Sequence, residues 1–275
     1  METKVSLIIS VYKKIPELGF ILDALKLQSI KEFEIIISDD GSGTKMKEYI
    51  EYRRKEFKIP FKHICHEDEG FRKNKILNQS VLASETDYLI FIDGDCIPHP
   101  EFIKEHYINR KENTVLCGKR VMLGRNISDD LSPVMIKSRM FFMNSFTFFN
   151  DSLFGGYHKT RYAEDSIYIK NKFLRKKILN KTAVLAGCNF SLPKNLLLKI
   201  NGFDENFTGP GLGEDSDIER RLKLAGAEFR SVRHLAIVYH IFHRRTIEET
   251  SNREYFEKVR QNSEYRCKNG IVKEK

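Results

Sequence analysis

What most constrains this chain is an alternation in its first half. The stretches "VSLIISVY", "FEIIISDD", "FKHICHE" and "YLIFIDGD" are almost unbroken apolar runs. Between them lie "PELGFILDALKLQS", "KMKEYIEYRRKEF" and "RKNKILNQSVLAS", whose apolar residues recur at helical spacing. A strand that is apolar on both sides must be covered on both sides, so the pattern predicts an α/β fold, a parallel sheet with helices on either face. In sheets of this kind ligands bind beyond the carboxyl ends of the strands.

Two of the runs end in acids. "IIISDDGSG" delivers Asp39 and Asp40, and "LIFIDGD" delivers Asp93 and Asp95 with only Gly94 between them. Asp-Gly pairs are good turn formers, which accounts for either pair alone. Parallel strands, however, would carry both pairs to one rim, where their mutual repulsion calls for a cation. No GxxxxGK[ST] loop is present to cradle phosphate. Carboxylates one residue apart at a strand end suit a divalent ion that in turn holds a diphosphate. Near the end of the chain "VYHIFHRR" offers His240 and His243 as nitrogen ligands. An oxygen site that adds imidazole favours Mn²⁺ over Mg²⁺.

The formal charge of +9, from 47 Lys and Arg against 38 Asp and Glu, asks for an anionic partner without choosing among nucleic acid, acidic lipid and phosphorylated small molecules. The five cysteines form no CxxC pairing and suggest neither a disulfide framework nor a zinc site, which fits a reducing cytoplasm. The run in "METKVSLIISVYKK" is too short for a signal peptide's core and reads as the first strand. No segment reaches membrane-spanning length; "MFFMNSFTFF" (140–149) comes nearest and is interrupted by Asn144, Ser145 and Thr147. That segment belongs to a basic, aromatic stretch from Ser128 to Lys181, expected to form helices with a solvated lysine face or, as the less common alternative, a membrane- or acceptor-facing surface.

The pattern resumes with "AVLAGCNFSL", a helical "PKNLLLKI", the turn "NGFDENF", a glycine-rich "TGPGLG" and the helix "EDSDIERRLKLAG". That helix starts in acids and ends in bases before Gly226, so its dipole explains Glu214, Asp215 and Asp217 in part. It gives no reason for a glycine loop leading into them.

Taken in order, "SLIISVYKK", "ISDDGSG", "GFRKNKILNQSV", "YLIFIDGDCIPHPEF", "AGCNFSLPKNLLLKINGFDENF" and "GPGLGEDSDIERRLKLAG" resemble glycosyltransferase family 2. The last two resemble the galactosyltransferase-like region of β-1,4-galactosyltransferases and chondroitin-type polymerases. The resemblance covers residues 1 to about 125 and 183 to about 245. It implies the GT-A fold, with a Rossmann-like, mostly parallel central sheet. It divides a single domain (1–245) into a nucleotide-sugar-binding half (1–125), a variable region (126–182) and an acceptor-binding and catalytic half (183–245), followed by a helical tail (246–275).

The resemblance implies that Val11, Tyr12, Asp39, Arg72 and Asn78 form the nucleoside-binding surface, that Asp93 with Gly94 is the ribose-side acid of a DxD motif, and that Asp95 ligates metal on the donor diphosphate. It places the distal metal ligand among His240 and His243, the catalytic base at Asp215, and an acceptor contact at Glu214. The implied reaction is an inverting, metal-dependent transfer of galactose, N-acetylgalactosamine or glucose from a UDP-sugar to a saccharide or lipid-linked saccharide, with Mn²⁺ or Mg²⁺ as cofactor and no nucleic-acid partner. The Gly209–Gly213 loop is expected to close over the donor. The implied setting is bacterial surface polysaccharide synthesis, in the cytoplasm or peripherally at the inner face of the membrane. One departure concerns the donor sugar: β-1,4-galactosyltransferases carry tryptophan in the glycine loop, and this chain has no Trp.

Other readings fit less. A nicotinamide dehydrogenase would place GxGxxG after the first strand, which instead continues as "VYKKIPE". A haloacid-dehalogenase-type phosphatase would carry its DxD after the first strand rather than the fourth. A non-enzymatic binder of nucleic acid or anionic membrane leaves acids at two strand ends unexplained.

Overall fold

The computed structural model describes residues 3–210, 214–244 and 250–274. The alternation becomes four parallel strands, β1 (Val5–Val11), β2 (Phe33–Asp39), β3 (Phe61–Cys65) and β4 (Tyr88–Asp93), joined by the helices Ile15–Leu25, Thr44–Arg54 and Lys73–Ala83. Next come the short strands β5 (Cys96–Pro98), β6 (Thr114–Cys117) and β7 (Arg120–Met122), then β8 (Asn189–Pro193), β9 (Glu228–Ser231) and β10 (Val238–His240). The main sheet runs β3-β2-β1-β4-β8-β6-β9, with β8 alone antiparallel to both its neighbours. The apolar runs form four parallel strands as expected, and the whole sheet is mostly parallel, as the resemblance implies.

Those runs are continuous because each strand feeds two cores. Leu7, Ile9, Ile35, Ile37, Ile90 and Ile92 face one layer of helices, while Ile8, Ile36, Leu89 and Phe91 face the other. A third apolar layer, built on Phe141, Phe148 and Tyr239, backs a small sheet of order β5-β10-β7. The chain passes from the large sheet to the small one through the two residues Gly94 and Asp95, between the end of β4 and the start of β5. The acid pair therefore sits at the joint of the two sheets.

From Arg125 to Leu179 the chain forms the short helices Arg125–Asp129, Pro133–Lys137, Ser145–Phe154 and Lys172–Leu179, with single turns at Phe141–Met143 and Ala163–Ser166. Beyond the helix Thr250–Val259 the last residues return to the turn at residues 200–206. There the Asn201 amide donates to the carbonyls of Cys267 and Val272 and accepts from the Val272 N–H.

Candidate active site

Strand register decides which acids meet. Ser10 lies beside Asp93 and Val11 beside Asp39, so the carboxyl ends of β2 and β4 flank that of β1. Gly94 makes the joint possible: a Cβ there would sit 2.7 Å from the Ser10 carbonyl oxygen and 2.9 Å from Val11 Cγ1. Only glycine lets the chain press against β1 and still hold Asp93 and Asp95 on either side of it.

On one side of Gly94, Asp93 joins Asp215 in a cleft that Ser10, Lys73, Asn74 and Gly187 also line. Lys73 Nζ lies 3.1 Å from Asp93 Oδ1. Asp215 is the second residue of the helix Glu214–Leu224, and its Oδ2 accepts the Gly187 N–H at 2.9 Å. Burial raises the Asp215 carboxyl above its ordinary value, with Asp93 pushing the same way and Lys73 opposing. Asn74 Oδ1, buried in this cleft, has no hydrogen-bond partner among the described residues. The helix's other early acid behaves differently: Asp217 is paired with Arg221 at 2.7 Å, both fully buried, as a structural ion pair.

On the other side of Gly94, Asp95 meets His240 and His243. The backbone N–H of Ile241 donates to the Asp95 carbonyl, and β10 pairs His240 with Cys96, which brings the histidines alongside. Asp95 Oδ1 is 3.5 Å from His240 Nε2, and Oδ2 is 3.3 Å from His243 Nε2 and 2.7 Å from Lys14 Nζ. Burial alone would raise the Asp95 carboxyl; the His243 hydrogen bond and the charges of His240 and Lys14 outweigh it and hold the group far below the usual carboxylate range. Burial lowers His240, whereas its bond to Asp95 raises His243.

These three residues fit a divalent cation. One carboxylate oxygen and two imidazole nitrogens lie within 4.8 Å of one another, and a single cluster of this kind occurs among the described residues. The donor set is borderline, and the buried Asp95 carboxylate already draws the Lys14 ammonium to itself.

The nucleoside-side expectations divide. Tyr12 is exposed on the rim, with its hydroxyl and Lys13 Nζ both on Asp68. Arg72 immediately precedes the helix Lys73–Ala83, and its backbone N–H donates to both oxygens of buried Asp40. Asp39, however, is fully buried: it accepts from the Ser42 N–H and bonds His63, so it reaches a ligand only through what it holds. Burial would raise its carboxyl, yet these bonds keep it below the ordinary value. Asn78 lies apart from the rim. It is 2% exposed, and its amide is spent on Phe203 and Glu205, because the buried face of its helix packs on the 203–205 turn. The Glu214 side chain and residues 211–213 of the glycine loop lie outside the described residues.

Sequence reasoning missed three cations. Lys14 and Lys73 passed as strand-end and helix residues, and Arg120, bonded to Cys188 Sγ at 3.3 Å, lies on a three-residue strand with no periodic signal. Position was their only mark: Lys14 follows the end of β1 by three residues, Lys73 opens a helix and Arg120 opens β7.

The chain resembles known proteins in sequence and in fold. The family model for glycosyl transferase family 2 matches residues 6–197, and one described as the N-terminal domain of galactosyltransferase matches residues 171–244. A chondroitin synthase of Escherichia coli is 26% identical over 86% of this chain, and a hyaluronan synthase of Pasteurella multocida 25% identical over 73%. The chain spans 34% of the first and 20% of the second. Among solved structures, a Pyrobaculum calidifontis mannosyltransferase in complex with GDP-Man and Mn²⁺ superposes with a TM-score of 0.58 at 13% identity, over 89% of this chain and 59% of its own. GalNAc-T7 with UDP, GalNAc and Mn²⁺ superposes with a TM-score of 0.60 at 13% identity, over 88% of this chain and 44% of its own. The fold is GT-A.

Proposed function

Because the chain belongs to glycosyl transferase family 2, we propose that it moves galactose, N-acetylgalactosamine or glucose from a UDP-sugar to a saccharide hydroxyl with inversion, in bacterial surface polysaccharide synthesis. The acceptor is a saccharide, free or lipid-linked, and the enzyme works in the cytoplasm or as a peripheral protein at the membrane's inner face. One observation carries the reading: Asp93 and Asp215, far apart in sequence, line one cleft, and the Asp95, His240 and His243 cluster lies just across Gly94.

The residues divide the work by position. Tyr12, the end of β1 and the Arg72 turn receive the nucleoside, with buried Asp39 and Asp40 fixing the turns at Ser42 and Arg72. Asp93 accepts from the ribose. Asp95, His240 and His243 hold Mn²⁺ or Mg²⁺. When bound, the ion supplies Lewis-acid stabilisation of the leaving diphosphate. Lys14, Lys73 and Arg120 add positive charge along that side of the cleft.

Across the cleft, Asp215 accepts the proton of the acceptor hydroxyl. As that oxygen bonds the anomeric carbon, the bond from this carbon to the diphosphate oxygen breaks and its electron pair leaves with UDP. The raised Asp215 carboxyl makes a better base than an ordinary aspartate, and the Gly187 N–H fixes which oxygen faces the acceptor.

The test is Asp215→Asn with UDP-sugars and Mn²⁺. The variant keeps the thermal stabilisation given by UDP plus Mn²⁺, while turnover falls roughly 10²- to 10⁴-fold. Near-normal transfer by the variant removes Asp215 as the base. Failure of UDP and Mn²⁺ together to stabilise the wild-type chain overturns the donor assignment.

A further inference from the structure

We propose that the exposed aromatic face of the helix Ser145–Phe154 is a seat for an anionic lipid bilayer. The proposal deepens the peripheral-membrane reading above and rests on it for the use the seat would have. On this ten-residue helix Phe146, Phe149, Leu153 and Phe154 fall at helical spacing along one side. Phe146 is 82% exposed, Leu153 70% and Phe154 78%. Met143, just before the helix, and Tyr157, just after it, extend the exposed apolar surface. The opposite side carries Phe148, which is buried against Phe141 and Tyr239 with ring centroids 5.4 Å away in each case. The inward side is thus served by the core, and the outward phenylalanines have no ring partner among the described residues. Water-facing helices do not normally gather such residues.

Charge selects the occupant. Arg139 precedes the helix and Lys159 and Arg161 follow it; all three are exposed, and none has an acidic partner among the described residues. Residues 126–182 hold ten Lys and Arg against five Asp and Glu, an excess of five positive charges. A second copy of the chain would bring that positive surface against itself. A bilayer containing anionic lipid brings the opposite sign, and the aromatics enter its interface while the bases stay at the headgroups. No helix among the described residues is long and apolar enough to cross a membrane, so the helix lies in the interface plane.

The seat is also tied to the site. In β10, Tyr239 points into the aromatic layer under the helix, and the next residue, His240, points to Asp95 on the other face. The aromatic layer and the small sheet lie between the lipid seat and the candidate cation cluster. Docking this face would hold the cleft beside an acceptor carried on lipid.

The experiment sediments the full chain, without nucleotide, with vesicles of phosphatidylcholine or of phosphatidylcholine containing phosphatidylglycerol. Binding to the anionic vesicles that weakens with added salt is expected. Phe146→Ser with Phe154→Ser should lower partitioning by about tenfold per aromatic removed. Lys159→Glu with Arg161→Glu should lower it by about fivefold per charge. These side chains are exposed, so melting curves and UDP-sugar hydrolysis should match wild type. Absence of binding, or equal binding to neutral vesicles, overturns the proposal. So does light scattering that finds a dimer which the Phe146→Ser, Phe154→Ser variant dissolves, since a second copy then covers the face. A chain that sediments with anionic vesicles but consumes no nucleotide sugar upholds the seat and overturns the transferase reading.

Discussion

Gly187→Ala isolates the position of Asp215 from its chemistry. A Cβ at residue 187 would lie 2.1 Å from Asp215 Oδ1 and 2.7 Å from its Cγ, whereas ordinary contact begins near 3.4 Å. The carboxylate must therefore retreat by more than 1 Å, and its 2.9 Å bond from the Gly187 N–H stretches or breaks. Every one of the close atoms is the end of a side chain, so the backbone can stay where it is. The expected cost in stability is the loss of one hydrogen bond to a charged group, about 1.5–3 kcal/mol at most. A displacement of about 1 Å at a reacting group costs roughly 10²-fold in rate. The variant should bind UDP and Mn²⁺ as wild type does, melt within a few degrees of it, and turn over about 10²-fold more slowly. Donor consumption measured by UDP release, alongside a melting curve, checks both halves. The effect should also vanish on an Asp215→Asn background, because a displaced amide loses nothing further. Turnover within about threefold of wild type, or losses that simply add in the double variant, refutes the assignment of Asp215 as a positioned base.

Asp95→Ala should abolish the extra thermal stabilisation that Mn²⁺ adds to UDP; retention of that increment sinks the assignment of Asp95 as a ligand. The pH profile of turnover should show an acid limb above the ordinary carboxylate range, since Asp215 acts ionised and burial raises its carboxyl, and Asp215→Asn should remove that limb from whatever activity remains. His106, fully buried between Ser191 and Asn189, is pushed down to about 4 by burial. Its folded value is depressed, so the unfolded chain binds the extra proton between the ordinary histidine value and 4. Stability is then full above pH 6.5 and falls by on the order of 3 kcal/mol as pH drops to 4. Urea midpoints across that window should show the slope, and His106→Gln should remove this residue's share of it, leaving that of His99, which burial also pushes down to about 4.

The four parallel strands and the two acid-bearing ends were legible because both are local. An unbroken apolar run needs no distant partner to be recognised, and a terminal acid announces itself by breaking the run. The small sheet was not legible: its three strands are three residues each and come from residues 96–98, 120–122 and 238–240, too short for any period. It was nevertheless this sheet that brought His240 to Asp95. Asn78 is the opposite case: its matched motif is local, but the 203–205 turn that binds its amide lies more than a hundred residues on. Lys14 and Arg120 carry no sign in the sequence of what they face.

Strand β10 makes the parity of a very short segment decisive. Tyr239 and His240 point to opposite faces because they are consecutive, so inserting or deleting one residue between Val232 and Val238 risks exchanging them. The imidazole would then turn toward the phenylalanines and the phenol toward Asp95. Such a change would strip the candidate ion of a ligand and bury a base under the aromatic helix in one stroke, and this hinge between the two halves should tolerate substitution far better than any change in length.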